Sequence, residues 1–243
     1  MALGRDTRIT WYGHACIEVT SPGGRTILID PWFGNPLSPK GADSVAVCDV
    51  LLVTHGHGDH MGDAVALASR LRPAWPCIHE MSLWLARRLP GGGDAVTGMN
   101  KGGTVTIGGL KVTMTSADHS AGDWNPDGGV PLYLGEPAGF VVEMENGFRL
   151  YHAGDTAVFS DMRLIGELYE PDVALLPIGG HFTMGPREAA LAVDMLGVKH
   201  VVPIHYGTFP ILAGTPDQLR TELATRGLDE VEVHALTPGG TLA

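Results

Sequence analysis

The stretch Leu51-Leu52-Val53-Thr54-His55-Gly56-His57-Gly58-Asp59-His60-Met61-Gly62 opens with three apolar residues and continues with three histidines and one aspartate. The apolar run indicates a buried strand, and the glycines allow turns that aim several side chains at one point. Imidazole and carboxylate are the ligands that zinc and its first-row neighbours prefer. A solvated histidine-rich loop fits less well, because the cluster continues directly from a core strand and would be costly to bury without a cation. The stretch therefore predicts a metal site.

Composition limits the size and the partners of the protein. With 243 residues and 44% hydrophobic content, the chain can bury one substantial core, and we expect one domain over residues 1–243. The formal charge of −11 argues against nucleic acid as a partner, because binding its phosphate backbone needs clustered Lys and Arg. No apolar run has the length of a membrane span, so we expect no membrane partner.

The cysteines and the N-terminal residues indicate the cellular compartment. Cys16, Cys48 and Cys77 form no C-x-x-C pair, and they suggest reduced core residues rather than a disulfide framework. Residues 1–10 lack the hydrophobic core of a signal peptide. We therefore expect a cytoplasmic enzyme that acts on a small-molecule substrate. Homo-oligomerisation is compatible with these observations.

Strand and helix patterns follow a similar order in the two halves of the chain. Strands are predicted at 8–12, 16–20, 26–30, 105–107, 110–115, 140–144, 148–151, 173–176 and 231–233, and helices at 64–71, 82–89, 187–196 and 216–225. Glycine-containing turns join several of these strands as hairpins. Each half begins with hairpins and ends with strand–helix pairs, which suggests two stacked βα halves.

The order of apolar strand, sharp turn and then His or Asp recurs along the chain. His119 follows the strand at 110–115, Asp155 lies in Gly154-Asp155-Thr156 after a hairpin, and His205 follows an apolar run. Strand ends at one edge of a sheet converge, so seven side chains can surround one volume: His55, His57, Asp59, His60, His119, Asp155 and His205. Seven ligands exceed one tetrahedral site, and structural zinc favours cysteines. Two ions that share a bridging carboxylate would use all seven.

The motif His55-x-His57-x-Asp59-His60 after a hydrophobic strand resembles the signature of the metallo-β-lactamase superfamily. The resemblance runs from Trp11-Tyr12-Gly13-His14-Ala15 to His205. It is strongest to the metal-dependent hydrolase branch related to ascorbate-6-phosphate lactonases, through Leu28-Ile29-Asp30-Pro31 and Gly179-Gly180-His181-Phe182-Thr183-Met184-Gly185-Pro186. It implies an α/β fold, a four-layer αβ/βα sandwich in which two sheets face each other with helices outside.

The same resemblance implies a ligand set and a reaction. It assigns His55, His57 and His119 to a first divalent ion. Asp59, His60 and His205 are assigned to a second, and Asp155 bridges the two. We expect both ions to be zinc, with manganese as the alternative metal. Two such ions lower the pKa of a bridging water toward neutrality and clamp the reacting oxygens, so a metal-bridging hydroxide can hydrolyse a small ester, lactone or phosphodiester.

Further residues are candidates with two interpretations each. His181 resembles the proton donor of the ribonuclease Z branch, which would make it catalytic together with Asp59, or it caps a helix or lies in the rim. Asp30 either braces the histidine loop or begins a turn before Pro31. His14 lines the site or is a hydrogen-bonded structural residue. The loop-like segment 122–137 is a substrate rim or an irregular connection. His79, His152, His200 and His234 are expected to be structural or exposed.

The alternative is a function of another class on the same fold. It would bind metal without hydrolysis, or carry out redox chemistry as di-iron members do. The resemblance makes this alternative weaker, because such oxidases usually depend on a flavin domain and the sequence has no such extension. Iron also favours carboxylate-rich sites, whereas this set is mostly imidazole.

Overall fold

Two β-sheets form the framework of the computed structural model, which describes residues 6–124 and 131–243. Within these residues the first sheet consists of β1 (Arg8–Trp11), β2 (Ile17–Thr20), β3 (Thr26–Ile29), β4 (Val50–Leu52) and β16 (Thr241–Leu242). Their spatial order is β16-β1-β2-β3-β4. All neighbours are antiparallel except β3 and β4, which are parallel. The antiparallel start predicted for the chain is therefore confirmed.

The second sheet is larger and mixed. It consists of β7 (Thr104–Ile107), β8 (Leu110–Ser116), β11 (Ala138–Glu143), β12 (Arg149–His152), β13 (Val173–Pro177), β14 (His200–Ile204) and β15 (Glu232–Val233). The spatial order is β15-β14-β13-β12-β11-β8-β7. The strands from β7 to β12 pair antiparallel, as the two predicted hairpins require, and those from β12 to β15 pair parallel.

Two small ribbons complete the strands of the described residues. β5 (Trp75–Ile78) and β6 (Val96–Met99) are parallel, and β9 (Gly122–Trp124) and β10 (Pro131–Tyr133) are antiparallel. The segment 122–137 is thus not wholly a loop as predicted, because its two ends pair with each other as strands. Its residues 125–130 lie outside the described part of the chain.

Six α-helices lie in the described residues. They are α1 (Gly58–Met61), α2 (Ala64–Leu71), α3 (His79–Leu85), α4 (Met162–Tyr169), α5 (Pro186–Leu196) and α6 (Pro216–Thr225). In α6 the Thr215 hydroxyl accepts a hydrogen bond from the Gln218 amide, and the Gln218 side chain accepts one from the Thr215 amide. This reciprocal cap with Pro at the first helical position makes the predicted bounds of α6 correct. α3 begins and ends earlier than the predicted 82–89. The sequence patterns predicted no helix at the position of α4.

Side-chain alternation in the second sheet separates two apolar layers. In β13, Val173 and Leu175 belong to the cluster between the two sheets, whereas Ala174 and Leu176 pack with residues of α5 and α6. Successive side chains of a strand point to opposite faces, so this strand is apolar on both faces. Leu67 of α2 and other residues of α2 and α3 join the first cluster.

Together these layers confirm the predicted αβ/βα sandwich, with α4, α5 and α6 covering the outer face of the second sheet. Among the helices of the described residues, none is both long and apolar enough to cross a membrane.

Candidate metal centre

The predicted ligands come together at one edge of the sandwich. His55 follows β4 of the first sheet, whereas His119, Asp155 and His205 follow β8, β12 and β14 of the second. His57 immediately precedes α1, and that short helix carries Asp59 and His60. The two sheets therefore contribute donors from opposite sides, and all seven predicted ligands lie in this one region. Their assignment to individual ions stays a prediction.

Asp155 occupies the middle of the cluster. Its Oδ2 atom is 3.0 Å from His205 Nε2, 3.3 Å from His60 Nε2 and 3.6 Å from His119 Nε2. On one side of it, the donor atoms of His55, His57 and His119 lie within 4.8 Å of one another, and those of His14, Asp59, His60 and His205 do so as a second group. Asp155 is thus in reach of imidazoles from both groups.

Several buried atoms of this cluster have no hydrogen-bond partner among the described residues. They are His60 Nε2, both ring nitrogens of His205 and Asp155 Oδ1. Buried polar atoms are nearly always satisfied, and a divalent cation would satisfy these. The His55 Nε2 and His57 Nδ1 atoms are 2.9 Å apart, which is close to the separation of two nitrogen ligands on one ion. The residues present therefore fit a metal centre.

Burial and neighbouring charges shift the pKa values of the cluster. Burial lowers the pKa of His55 well below its usual value, which keeps this imidazole neutral as a ligand must be. Burial by itself would raise the pKa of Asp155, but the neighbouring His60 and His205 hold that pKa well below its usual value. Burial likewise opposes a charge on His60, yet Asp155 and Asp30 raise the pKa of His60 well above its usual value.

Asp30 braces the histidine loop, which decides between the two interpretations of this residue. Its Oδ1 accepts a hydrogen bond of 2.7 Å from the Thr54 amide, and its Oδ2 accepts from the Thr54 hydroxyl and from His60 Nδ1, each at 2.7 Å. A carboxylate only accepts, so Nδ1 of His60 carries a hydrogen and Nε2 faces Asp155. The Thr54 hydroxyl also lies 3.0 Å from His55 Nδ1. Because this hydroxyl donates to Asp30, it accepts from His55 Nδ1 and leaves Nε2 of His55 for the cluster.

His14 holds Asp59 rather than standing apart from the site. Its Nε2 atom lies 3.0 Å from Asp59 Oδ2, and its Nδ1 atom lies 2.9 Å from the Thr208 hydroxyl. Burial lowers the pKa of His14 to about 4, so the ring is neutral, and the carboxylate requires the hydrogen on Nε2. His14 therefore takes part in the site as a partner of Asp59.

The backbone at the cluster adopts a conformation that residues other than glycine rarely occupy. φ is +53° at His14, +47° at Asp30 and +53° at His205, in the left-handed region that is sterically costly for them. The His205 amide donates to the His14 carbonyl at 2.9 Å, so two of these residues hold each other. Such outliers cluster at functional sites, where surrounding contacts stabilise them.

His181 lies outside the cavity that the cluster opens into. This cavity has a volume of about 320 Å³, and its lining is formed by His57, Asp59, His119, Ser120, Asp155, Phe182 and His205. His181 is exposed on the loop before α5, with φ of +60°, and its ring centroid lies 4.4 Å from that of Phe182. The neighbouring Phe182 is therefore the loop residue that faces the site in this conformation.

Residues that sequence reasoning missed surround the predicted ligands. Thr54 and Thr208 fix the rings of His55 and His14, and their only signal in the sequence is that each lies close to a predicted ligand, His55 or His205. Trp32 contacts His14 edge-on, with ring centroids 5.1 Å apart.

His152 and His79 agree with the expectation of structural or exposed residues. His152 is buried and accepts a hydrogen bond from the Gly154 amide, and His79 is exposed. The three cysteines are buried and free, and burial raises the pKa of Cys48 and Cys77 to about 12, which leaves them inert as nucleophiles.

Comparison with known proteins gives a consistent set of relatives. The model of the Beta-lactamase superfamily domain matches residues 25–206. A UPF0173 metal-dependent hydrolase of Rubrobacter xylanophilus is 50% identical over 237 residues, covering 97% of this chain and 96% of that protein. A second, from Koribacter versatilis, is 47% identical over 235 residues, covering 96% and 97%. Among solved structures, Igni18, a metallo hydrolase from the archaeon Ignicoccus hospitalis, has a TM-score of 0.83 at 36% identity, with 97% of each chain covered.

Fold, cluster and relatives define an α/β metallohydrolase. The chain belongs to the metallo-β-lactamase superfamily and, within it, to the UPF0173 family of metal-dependent hydrolases. The resemblance inferred from the His55 motif is thereby confirmed.

Proposed function

We propose that the enzyme is a binuclear hydrolase that acts on small uncharged esters or lactones. It would bind two divalent ions, with zinc preferred over manganese. The observation that carries this proposal is the position of Asp155, whose Oδ2 atom is in reach of imidazoles from both donor groups. When bound, two such ions lower the pKa of a water between them and polarise the bond to be cleaved. The rest of the reaction depends on groups of the chain itself.

The side chains around the cavity have separate tasks in this proposal. His55, His57 and His119 would hold the first ion, and Asp59, His60 and His205 would hold the second. Asp155 is in reach of both groups. His14 engages Asp59 Oδ2, which would leave Oδ1 as the ligand atom of Asp59. His181 delivers the proton to the leaving group, and because it is exposed outside the cavity lining, it does so only after the loop before α5 turns inward.

The cavity favours an uncharged acyl substrate over a phosphodiester. None of the described residues that line it is Lys or Arg, which are the residues that usually pair with a phosphate. Phe182 lines the cavity and is 57% exposed. Phe209 is 40% exposed, and its ring centroid lies 6.1 Å from those of Trp32 and of His14, the partner of Asp59. Exposed apolar side chains beside a cavity support binding of an apolar group.

The other expectations about the protein enter the proposal unchanged. The enzyme acts in the cytoplasm on a small molecule, without a nucleic-acid or membrane partner, and it can form homo-oligomers. A redox role is the weaker alternative, because the donor set contains five imidazoles and only two carboxylates, whereas iron favours carboxylate-rich sites.

Stepwise metal addition tests the proposal. The metal-stripped enzyme should gain turnover until two equivalents of Zn²⁺ or Mn²⁺ are bound, measured with nitrophenyl acetate, a γ-lactone and a bis-nitrophenyl phosphate. The ester and the lactone should show the higher kcat/KM. Full turnover after one equivalent would contradict the binuclear centre, and a clear preference for the phosphodiester would contradict the substrate class.

A further inference from the structure

A second group of metal-ligand side chains lies away from the cavity, at the edge of the larger sheet. His200 is in β14, Glu232 is in β15 and His234 follows β15 directly. Their donor atoms lie within 4.8 Å of one another. Both imidazoles are partly buried, and their rings stack with centroids 5.3 Å apart. None of the roles described above uses these three side chains.

Strand register explains why the three side chains share one face. His200 is the register partner of Glu232, and Val201 is the partner of Val233. Val201 and Val233 both pack into the apolar cluster beneath the helices. Because successive side chains of a strand alternate between faces, His200 and Glu232 point to the opposite face of the sheet. His234 continues that alternation, and its amide donates to the Val201 carbonyl at 2.9 Å.

The two ring nitrogens are already placed like ligands of one ion. His200 Nδ1 and His234 Nε2 are 3.1 Å apart. Two nitrogens bound to zinc at about 2.0–2.1 Å with tetrahedral geometry are about 3.3–3.4 Å apart, so only a small movement is needed to admit the ion. A carboxylate within reach supplies a third ligand and a negative charge. Two histidines and one carboxylate are a donor set that zinc uses with water in the fourth position.

We propose that His200, Glu232 and His234 form a binding site for a Zn²⁺ ion that fastens β15 to β14. β15 is two residues long and lies at the sheet edge, where a strand this short gains little from its own hydrogen bonds. The ion links side chains of both strands and so stabilises the start of the C-terminal segment. This site is separate from the proposed catalytic centre, and its occupancy does not affect turnover.

Charges next to the site are compatible with a cation. The chain carries a formal charge of −11. Arg220 of α6 lies beside β15, where it donates to the Val233 carbonyl at 2.9 Å and pairs with Asp217 at 2.6 Å. Its charge is therefore partly neutralised by its own partner. Lys199 precedes His200, and it is exposed.

Zinc binding by wild type and by variants with the catalytic centre intact tests the proposal. Equilibrium dialysis against micromolar free Zn²⁺ should give wild type one more ion per chain than His200→Gln, His234→Gln or Glu232→Gln. Glu230→Gln, which changes an exposed acid of the same segment, is the matched control and should keep that ion. Ester turnover should be equal in all five proteins.

A second measurement reports on the strand itself. Zinc should slow hydrogen exchange of the backbone amide at position 234 by about tenfold or more in wild type and in Glu230→Gln, and should not do so in the other three variants. Equal zinc content in wild type and all variants, or an extra ion that binds only at millimolar zinc, would overturn the proposal. The test depends only on the difference in bound zinc between wild type and the variants. Its outcome is therefore independent of how many ions the proposed catalytic centre binds.

Discussion

The floor of the candidate metal centre and the rim of its cavity differ in burial and in hydrogen bonding. The floor, formed by the seven predicted ligands, contains side chains such as His55 and Asp155 that are 1% and 3% exposed, and Asp30 and His14 fix it by hydrogen bonds. The rim, formed by His181, Phe182 and Phe209, is exposed. The hydrogen bonds of the floor favour one geometry of its ligands, and we expect the exposed rim to act on substrate choice. The following substitutions test the contributions of the floor and of the rim separately.

Asp155→Ala should have the largest effect, because it removes the carboxylate that lies within 3.6 Å of three imidazoles. Loss of an outer partner of a metal ligand already costs about 10- to 100-fold, so loss of this ligand should lower turnover more than about 100-fold on every substrate. Metal content by elemental analysis should fall by at least one ion per chain.

Asp118→Ala is the matched control for that prediction. Asp118 is an exposed carboxylate next to His119, and its removal should leave metal content and turnover close to wild type. Near-normal turnover of Asp155→Ala with both ions retained would remove Asp155 from the centre of the floor.

His181→Ala should lower turnover of alkyl esters by about 100-fold while both ions stay bound, because the leaving alkoxide then departs without a proton. General acid catalysis is worth about 10²–10⁴-fold, and we expect the lower end because His181 must move inward to act. Nitrophenyl esters, whose leaving group is stable without a proton, should be cleaved at nearly the wild-type rate.

His79→Ala removes another exposed histidine, on α3 and outside the cavity lining, and serves as its control. If His181→Ala slows alkyl and nitrophenyl esters equally, or loses metal, then His181 belongs to binding or to structure and the rim takes no part in proton transfer.

The floor was predictable from the sequence because its residues follow strands in short motifs. His55 to His60 are contiguous, and His119, Asp155 and His205 each follow an apolar strand, so all seven could be named before their distances were known. The hydrogen bond of His14 to Asp59 joins residues 45 positions apart, and periodicity carries no information on such pairs. The conformation of the loop before α5 decides whether His181 or Phe182 faces the cavity. No residue pattern indicates the φ of +60° that His181 adopts there.

Asp30→Asn should weaken metal binding by about 10- to 100-fold, the range typical of outer partners of metal ligands. The amide nitrogen of Asn would face either the Thr54 amide or His60 Nδ1, and in the second case it favours the tautomer of His60 with hydrogen on Nε2, which cannot bind a cation. Competition with a chelator of known affinity measures the change.

Asp49→Asn is the corresponding control, since Asp49 accepts a hydrogen bond from the Thr26 amide at 2.8 Å and contacts no imidazole in the described structure. It should leave metal affinity unchanged. Equal affinity in Asp30→Asn and wild type would show that the floor holds its geometry without this brace.

Phe182→Ala should have the smallest effect, and one confined to substrate choice. Phe182 lines the cavity with 57% of its surface exposed, so truncation leaves no buried void and should not change the melting temperature. A methylene group in an apolar pocket is worth about 10-fold or more in kcat/KM, and the ring can cover an acyl chain but not an acetyl group. The ratio of kcat/KM for nitrophenyl butyrate to that for nitrophenyl acetate should therefore fall about 10-fold. Leu168→Ala, which truncates a 66% exposed side chain on α4, should keep the wild-type ratio. An unchanged ratio in Phe182→Ala would leave the rim without a part in selecting the acyl group, and a fall in metal content would mean that floor and rim are not independent.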